Sequence, residues 1–221
     1  MKPLDLKSLI KSAKDFCIQE NKTSRPELFG VTDGKAIGTF IEHEFQNYLA
    51  QRYDLKAGSS AMGLDLPSVN CDIKTTSITQ PQSSCPFKDS KQKIYGLGYH
   101  LLVFVYDKHD DVENKTGHLE FVSCTFIDKS LTADYQTTKG IRDIIGRKGN
   151  KDDIVAYLLD RNIPADEVTL WNIADDLLKN PPQIGYLTIS NALQWRLQYG
   201  RIVNLSEEID GITPVIKYGN K

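Results

Sequence analysis

Apolar residues recur at helical spacing in two stretches near the start of the chain. Residues 4–20 and residues 35–53 each predict an amphipathic helix, because apolar side chains three or four positions apart share one face. Between them, residues 21–33 contain Pro26 and Gly30, which favour a loop. The apolar positions are Leu4, Leu6, Leu9, Ile10, Ala13, Phe16 and Cys17 in the first helix, and Ile37, Phe40, Ile41, Phe45, Tyr48 and Leu49 in the second.

The middle of the chain has the pattern of β-strands. Residues 101–106 are continuously apolar, as in a strand that is buried on both faces, and residues 118–127 are a second, mostly apolar strand. The charged residues 107–117 form a hairpin-like connection between the two strands. Sheet strands within residues 100–127, together with the two helices, predict an α/β fold with a mixed central β-sheet flanked by helices.

The pattern after residue 135 is mainly helical. Residues 152–159 and 165–178 are amphipathic, and Thr188 could cap a further helix over residues 189–199. That last helix would carry three side chains of types that read DNA bases but that also occur on ordinary surfaces: Gln194, Arg196 and Gln198.

Charged and apolar side chains alternate along residues 69–74. In an extended strand successive side chains point to opposite faces, so the polar residues share one face and the apolar residues share the other. A carboxylate and an ammonium therefore project together from one side of a half-buried strand. The polar face carries Asn70, Asp72 and Lys74, and the apolar face carries Val69, Cys71 and Ile73.

A second aspartate lies just upstream, in a hairpin predicted over residues 62–76. Residues 64–66 are strand-like, and the Pro-Ser pair that follows supplies turn chemistry. If the chain reverses after Ser68, Asp65 lies directly opposite Asp72, because opposed residues of an antiparallel pair share a face.

This aspartate pair has two interpretations. Carboxylates so close repel each other unless one is protonated or a cation lies between them, and carboxylate, carbonyl and water oxygens are the ligands that Mg²⁺ prefers. Lys74 would then lie beside the ion and orient or polarise a water molecule. In the alternative, Asp65 is a turn residue, and Asp72 and Lys74 are an exposed strand pair.

Two glutamates belong to the second predicted helix. Glu44 falls inside its apolar stripe and Glu42 lies at the edge of that stripe. A carboxylate near a buried face needs a partner or a metal ion, so each is either a site residue or a salt-bridged surface residue.

Composition, charge and cysteine spacing exclude several classes of protein. The 221 residues fit one domain, or one core with a small appended module, and 40% hydrophobic with 25% charged residues is ordinary for a globular protein. No apolar run is long enough for a membrane span and no signal-peptide core is present, so we expect a cytoplasmic protein without a membrane partner. The net charge of −2 argues against a sequence-blind nucleic-acid coat, but not against a specific DNA enzyme. Four widely spaced cysteines favour reduced thiols over a zinc site: Cys17, Cys71, Cys85 and Cys124.

The hairpin motif resembles the signature of the PD-(D/E)XK nuclease superfamily. Asp65 followed by Asp72-Ile73-Lys74-Thr75 is most similar to the MutH-type nicking enzymes and related type II restriction endonucleases. Residues 33–42 are also similar to the MutH-type helix that ends in I-G-x-x-x-E. On that match Glu42 is the catalytic glutamate borne on the helix, and Lys35 corresponds to the lysine at the helix start.

The resemblance implies a Mg²⁺-dependent endonuclease that cleaves double-stranded DNA at a specific sequence, as type II restriction enzymes do. Asp65, Asp72 and the carbonyl of Ile73 would bind the metal, Glu42 would contact it directly or through water, and Lys74 would orient the attacking water. Three alternatives stay open: a MutH-like strand-nicking repair endonuclease, a non-catalytic DNA-binding protein of the same fold, and a metal enzyme that acts on small phosphates.

The resemblance also implies an organisation and partners. The fold would be restriction-endonuclease-like, with a nuclease core over residues 1–135 and a mainly helical C-terminal part, residues 136–221, for DNA recognition or dimerisation. We expect a homodimer, since a two-fold dimer matches a palindromic site, and a cognate DNA methyltransferase encoded alongside.

Candidate DNA contacts follow the catalytic hairpin. A polar loop after the strand suits hydrogen bonds to bases and phosphates, although a plain surface loop has the same composition. Lys91 and Lys93 could meet phosphates, or belong to a solvated charge run. The predicted DNA-binding residues are Lys35, Gln80, Gln82, Ser83, Ser84, Lys91, Lys93 and Arg196.

Overall fold

The computed structural model describes residues 1–55, 63–84, 89–190 and 196–217. Helices and strands follow one another in this order: β1 (Lys2–Pro3), α1 (Leu6–Glu20), β2 (Ser24–Arg25), α2 (Gly34–Ala50), β3 (Tyr53–Asp54), β4 (Cys71–Ser77), β5 (Gln82–Ser84), α3 (Gln92–Tyr95), β6 (His100–Asp111), β7 (Thr116–Ile127), α4 (Tyr135–Gly146), α5 (Lys151–Asp160), α6 (Glu167–Lys179), β8 (Thr188–Ile189), β9 (Arg196–Gln198), α7 (Gly200–Val203) and β10 (Ile212–Lys217).

The chain divides into two compact units that alternate along the sequence. The first unit comprises Met1–Ser83, His100–Ile127 and Ser206–Lys221, and the second comprises Ser84–Tyr99 and Asp128–Leu205. The predicted boundary between residues 135 and 136 therefore falls inside the second unit. Within the parts that the structure describes, no helix is long and apolar enough to cross a membrane.

A mixed sheet forms the centre of the first unit, as predicted. Its strand order is β10-β7-β6-β4, in which β4 runs parallel to β6 while the β6–β7 and β7–β10 pairs are antiparallel. The short strand β2 pairs with the other end of β7. Strands β6 and β7 extend through the charged segment that was predicted to be their connection, so only residues 112–115 join them. The charged residues Asp107–Asp111 belong to β6 and pair with residues 116–120 of β7.

Helices α1 and α2 cover an apolar face of this sheet, close to their predicted bounds. Asp5 caps α1 by accepting from the Ser8 N–H at 2.7 Å, and Asp33 caps α2 by accepting from the Lys35 N–H. Phe16 lies among aromatic rings of both helices and the sheet, with centroid distances of 5.1–6.0 Å to Phe45, Phe104 and Phe121. Edge-to-face and tilted packing of this kind fixes the helices on the sheet.

Gly38 brings α2 unusually close to β4. A Cβ built on this glycine would lie 2.6 Å from the Thr75 hydroxyl oxygen, which is inside van der Waals contact. The strand that carries the predicted site can therefore touch the backbone of α2 at this turn. One turn later along the helix comes Glu42, so the close approach determines how near that carboxylate lies to β4.

The second unit is mainly helical and has its own apolar core. Helices α4, α5 and α6 pack around a cluster that includes Ile94 from α3. Asp134 is fully buried, caps α4 through the Thr137 N–H at 2.8 Å, and accepts from the Ile189 N–H at 2.8 Å. The remaining core side chains are Ile141, Ile144, Ile154, Val155, Leu158, Ile163, Leu170, Ile173, Ala174 and Leu177.

The predicted helix over residues 189–199 is wrong at both of its described ends. Thr188–Ile189 and Arg196–Gln198 are short strands that pair with each other in antiparallel register. The burial of Leu197 and Tyr199 between exposed neighbours has the period of two that defines a strand. Gln194 lies outside the described residues.

Gly38→Ala is expected to destabilise the protein by about 1–3 kcal/mol, because the added methyl group overpacks the contact with Thr75. Urea unfolding measures the change. Gly34→Ala in the same helix is the matched control, since a Cβ there meets no atom within 4 Å.

The double variant Gly38→Ala/Thr75→Ala should recover part of the loss, because it removes the hydroxyl that the new methyl group strikes. Equal stability of the two single glycine variants would show that the close approach carries no energetic weight.

Candidate functional site

A tight reversal of the chain brings Asp65 opposite Asp72, as predicted. Leu66 and Cys71 exchange two backbone hydrogen bonds, of 3.0 and 3.1 Å, across a 3-10 turn at Pro67–Val69. The upstream arm makes only this single bridge instead of a continuous strand. Asn70 closes the turn with φ of 50°, a left-handed conformation that asparagine adopts more readily than most residues. Met62, the first residue of the predicted hairpin, lies outside the described residues.

The two aspartates and Lys74 form one connected group. Asp65 Oδ2 accepts a hydrogen bond from the Ile73 N–H at 2.8 Å, and Lys74 Nζ lies 2.6 Å from Asp72 Oδ2. Asp72 is buried, whereas Asp65 and Lys74 are half-buried. The site is therefore desolvated on the Asp72 side and open enough at Asp65 and Lys74 for a ligand to approach.

Burial, together with the neighbouring carboxylates, raises the pKa of Asp65 to about 7. Burial of the carboxyl group is the largest cause, followed by the hydrogen bond and the charge that Asp72 presents to it. The Ile73 N–H acts in the opposite direction, and Glu42 adds a further raising effect. Asp65 therefore holds its proton to a much higher pH than an ordinary aspartate does.

Glu42, and not Glu44, belongs to this electrostatic environment. Burial raises the pKa of Glu42, the Lys74 ammonium lowers it, and Asp72 raises it. Glu44 instead lies 2.9 Å from Arg25 Nη2, and that guanidinium also binds the buried Glu20 at 2.7 Å. Side chains two positions apart on a helix point about 200° apart, so only one of the two glutamates can face the hairpin.

Most of the predicted DNA contacts are accessible. Lys35, Gln80, Ser84 and Lys91 are exposed, and Gln82 and Ser83 are half-buried. Arg196 is exposed too, but it lies on β9 instead of on a helix.

Lys93 is placed differently from the prediction. Its side chain is fully buried in the second unit and its Nζ donates to the main-chain carbonyl of Arg161 at 3.2 Å. Burial lowers the pKa of Lys93 to about 8, while Asp134 acts in the opposite direction. An ammonium held inside the unit cannot meet a phosphate, so the predicted contact is corrected to a structural role.

Two further residues support the site and were missed in the sequence. Gln46, one turn after Glu42, donates to the main-chain carbonyl of Asp65 at 3.5 Å. Thr76 is buried on the same face of β4 as Asp72 and Lys74, and its hydroxyl contacts the segment after the strand. Helical spacing from Glu42 and the period of two after Lys74 could have identified both residues.

The donor set suits a hard divalent cation. Among residues 1–55, 63–84, 89–190 and 196–217, no three His, Cys, Asp or Glu side chains form a cluster that could hold a metal ion by themselves. Asp65 and Asp72 nevertheless supply carboxylate oxygens, and main-chain carbonyl oxygens are of the type that Mg²⁺ accepts together with water. The excess negative charge that makes Asp65 bind a proton would equally be relieved by a cation.

Two comparisons with known proteins, one with a family and one with a single relative, agree with each other. The family described as "Type II restriction enzyme NspV" matches residues 3–214 of this chain. The type II restriction enzyme NspV of Nostoc sp. is 50% identical over 214 residues, which is 97% of this chain and 97% of that protein. No solved structure matches the chain at a significant level.

Asp65→Asn is expected to stabilise the metal-free protein at pH 8. The folded pKa of about 7 lies above the ordinary value of 3.8, so the folded state binds a proton that the unfolded state releases. Stability of the wild type should therefore decrease as pH rises through this window. Asparagine carries no charge and keeps an acceptor for the Ile73 N–H. Thermal unfolding in EDTA should show a gain of about 1–2 kcal/mol at pH 8, allowing for solvent screening of a half-buried group.

The gain should shrink towards zero near about pH 4, where the carboxyl group is neutral in both states. Asp54→Asn, at an exposed aspartate of β3 in the same unit, is the control. A gain that is independent of pH would mean that Asp65 is not crowded by its neighbours.

Proposed function

Because this chain belongs to the family of the type II restriction enzyme NspV, it is a site-specific endonuclease, and we propose that it is a Mg²⁺-dependent nuclease of the PD-(D/E)XK type. Its substrate would be double-stranded DNA, in which it hydrolyses phosphodiester bonds at a specific sequence. The observation that carries the proposal is the meeting of Asp65 and Asp72 across one turn, with Lys74 2.6 Å from Asp72. This arrangement of two acidic groups and one ammonium resembles the superfamily's signature and so supports the proposal.

The proposed metal ligands are Asp65, Asp72 and the main-chain carbonyl of Ile73, with Glu42 as a direct or water-mediated ligand. When bound, Mg²⁺ would neutralise charge on the scissile phosphate and on the attacking and leaving oxygens. The Ile73 N–H holds one oxygen of Asp65 at 2.8 Å and so fixes the orientation of that carboxylate before any ion arrives. Such fixed donors cost little reorganisation when a ligand binds.

Lys74 would act on the water and on the transition state. Its ammonium lies 2.6 Å from Asp72 Oδ2 and the residue is half-buried, which places a positive charge beside the proposed metal ligands. From this position it can orient the attacking water and stabilise negative charge that develops on phosphorus-bound oxygens. A non-catalytic DNA-binding protein would have no use for this arrangement.

Seven exposed or half-buried residues are proposed to contact DNA. They combine amides and hydroxyls, which can bond base edges, with cations, which can bond phosphates. The set is Lys35, Gln80, Gln82, Ser83, Ser84, Lys91 and Arg196.

We further propose that the active form is a homodimer, that it acts in the cytoplasm, and that a cognate DNA methyltransferase protects the host's own sites. A two-fold dimer would cut both strands of a palindromic sequence. The similarity of residues 33–42 to the MutH-type helix supports one alternative, a nicking enzyme that acts as a monomer. Gel filtration, with a plasmid assay that separates nicked circles from linear product, distinguishes the two.

Asp72→Ala should abolish Mg²⁺-dependent cleavage of phage DNA, with a loss of at least about 100-fold, because one of the proposed metal-binding carboxylates is gone. DNA binding in Ca²⁺ or EDTA, measured by gel shift, should survive or tighten, since a negative charge near the phosphate is removed. Calorimetric titration with Mg²⁺ should show the lost metal affinity directly.

Asp54→Ala, at an exposed position of the same unit, is the control and should cut as the wild type does. Wild-type cleavage by the folded Asp72→Ala protein would refute the site assignment.

Glu42→Gln and Glu44→Gln form a matched pair of variants on one helix. Glu42→Gln should lower the cleavage rate by about 10-fold or more, because it removes charge next to Asp72 and Lys74. Glu44→Gln should leave the rate nearly unchanged and reduce stability modestly, because it weakens the ion pair with Arg25. Single-turnover kinetics and thermal unfolding measure the two effects, and the reverse pattern would assign the site to Glu44.

A further inference from the structure

Thr76 continues the functional face of β4. Strand periodicity puts it on the same side as Asp72 and Lys74, two residues after the lysine. Unlike the half-buried Lys74, it is buried, with 5% of its surface exposed. A buried threonine hydroxyl needs hydrogen-bond partners, and these partners show which part of the chain the side chain holds in place.

The Thr76 hydroxyl is bonded to the segment that follows the strand. Its oxygen accepts from the Gln82 N–H at 3.0 Å and lies 3.1 Å from the main-chain carbonyl oxygens of Gln80 and of Gln82. Since a hydroxyl has one proton, it donates to one of these carbonyls at a time. One side chain thus ties the far end of the segment 77–82 back to the strand that carries Lys74.

The near end of the same segment is also fixed. The Ile78 N–H donates to the Tyr106 carbonyl at 2.9 Å, which continues the pairing of β4 with β6 by one residue. The hydroxyls of Ser77 and Thr79 lie 2.9 Å apart. Between the two anchors, Thr79 and Gln80 are exposed. The segment is therefore a short loop held at both ends that presents a hydroxyl and an amide to solvent.

We propose that Thr76 is a positioning residue that couples sequence recognition by residues 77–82 to cleavage at Lys74. The inference rests on the proposed function, in which this loop contacts DNA. Contacts to the correct bases accelerate the reaction only if they also fix the position of the scissile phosphate. A loop bonded to the catalytic strand transmits that positioning, whereas a loop released from it accommodates incorrect bases at little cost.

The test compares Thr76→Val with Thr76→Ser. Valine keeps the volume and the β-branch but deletes the hydroxyl, while serine keeps the hydroxyl. The recognition sequence is first mapped from the fragment ends that wild-type protein produces from phage DNA with Mg²⁺. Then kcat and KM are measured on a short duplex of that sequence and on duplexes with single base-pair substitutions.

Thr76→Val should reduce the ratio of kcat/KM between the correct and the substituted duplexes by about 10-fold, through kcat on the correct duplex. Mg²⁺ affinity by calorimetry should be unchanged, because no proposed ligand is altered. Thr76→Ser should restore the ratio. Thr125→Val, at a buried threonine of β7 in the same sheet, is the matched control and should keep the ratio of the wild type.

Each outcome decides the inference. An unchanged ratio in folded Thr76→Val overturns it and leaves the proposed function intact, whereas absence of cleavage by the wild type overturns both. If the valine variant does not fold, Thr76→Ala carries the same test, because it also deletes the hydroxyl and leaves a smaller side chain. If neither folds while Thr76→Ser does, the hydroxyl has a structural role only and the inference fails.

Discussion

Two carboxyl groups are brought together by main-chain hydrogen bonds, and the site depends on this constraint. The bridge between Leu66 and Cys71 places Asp65 opposite Asp72. Their repulsion is partly offset by the Lys74 ammonium and by the Ile73 N–H. Burial and the neighbouring carboxylates together raise the pKa of Asp65 to about 7. The fold thus holds several carboxyl groups close together at one defined place, where a cation would be bound favourably.

The position of helix α2 beside this hairpin depends on one glycine. Gly38 allows α2 to touch Thr75 on β4, and the next turn of the helix carries Glu42 towards the aspartates. Glu44, on the opposite side, is neutralised by Arg25. Two glutamates separated by one residue therefore have different partners, because the helix directs them to different sides and Arg25 lies on the side of Glu44.

Much of the first unit could be predicted from sequence, because its elements are long or its key turn is short. The spacing of apolar residues predicts α1, α2 and the pair β6–β7, and a reversal after Ser68 leaves only one register for Asp65 and Asp72. Predictions were weakest where tertiary contacts decide. Lys93 lies in a four-residue helix, too short for its burial to be visible as a pattern, and the β8–β9 pair consists of only a few residues each. The choice between Glu42 and Glu44 needed the position of Arg25, which belongs to a distant part of the chain.

The pairing of β10 with β7 has a consequence for the order of biosynthesis. A ribosome releases β7 long before it releases β10, because the whole stretch from Asp128 to Leu205 is translated between them. Throughout that interval, the N–H and C=O groups on one margin of the nascent sheet lack their final partner. The unpaired edge of a strand can form hydrogen bonds with other chains. The nascent polypeptide is therefore most vulnerable to aggregation while residues 128–205 are being synthesised, and the pairing of β10 with β7 ends that interval.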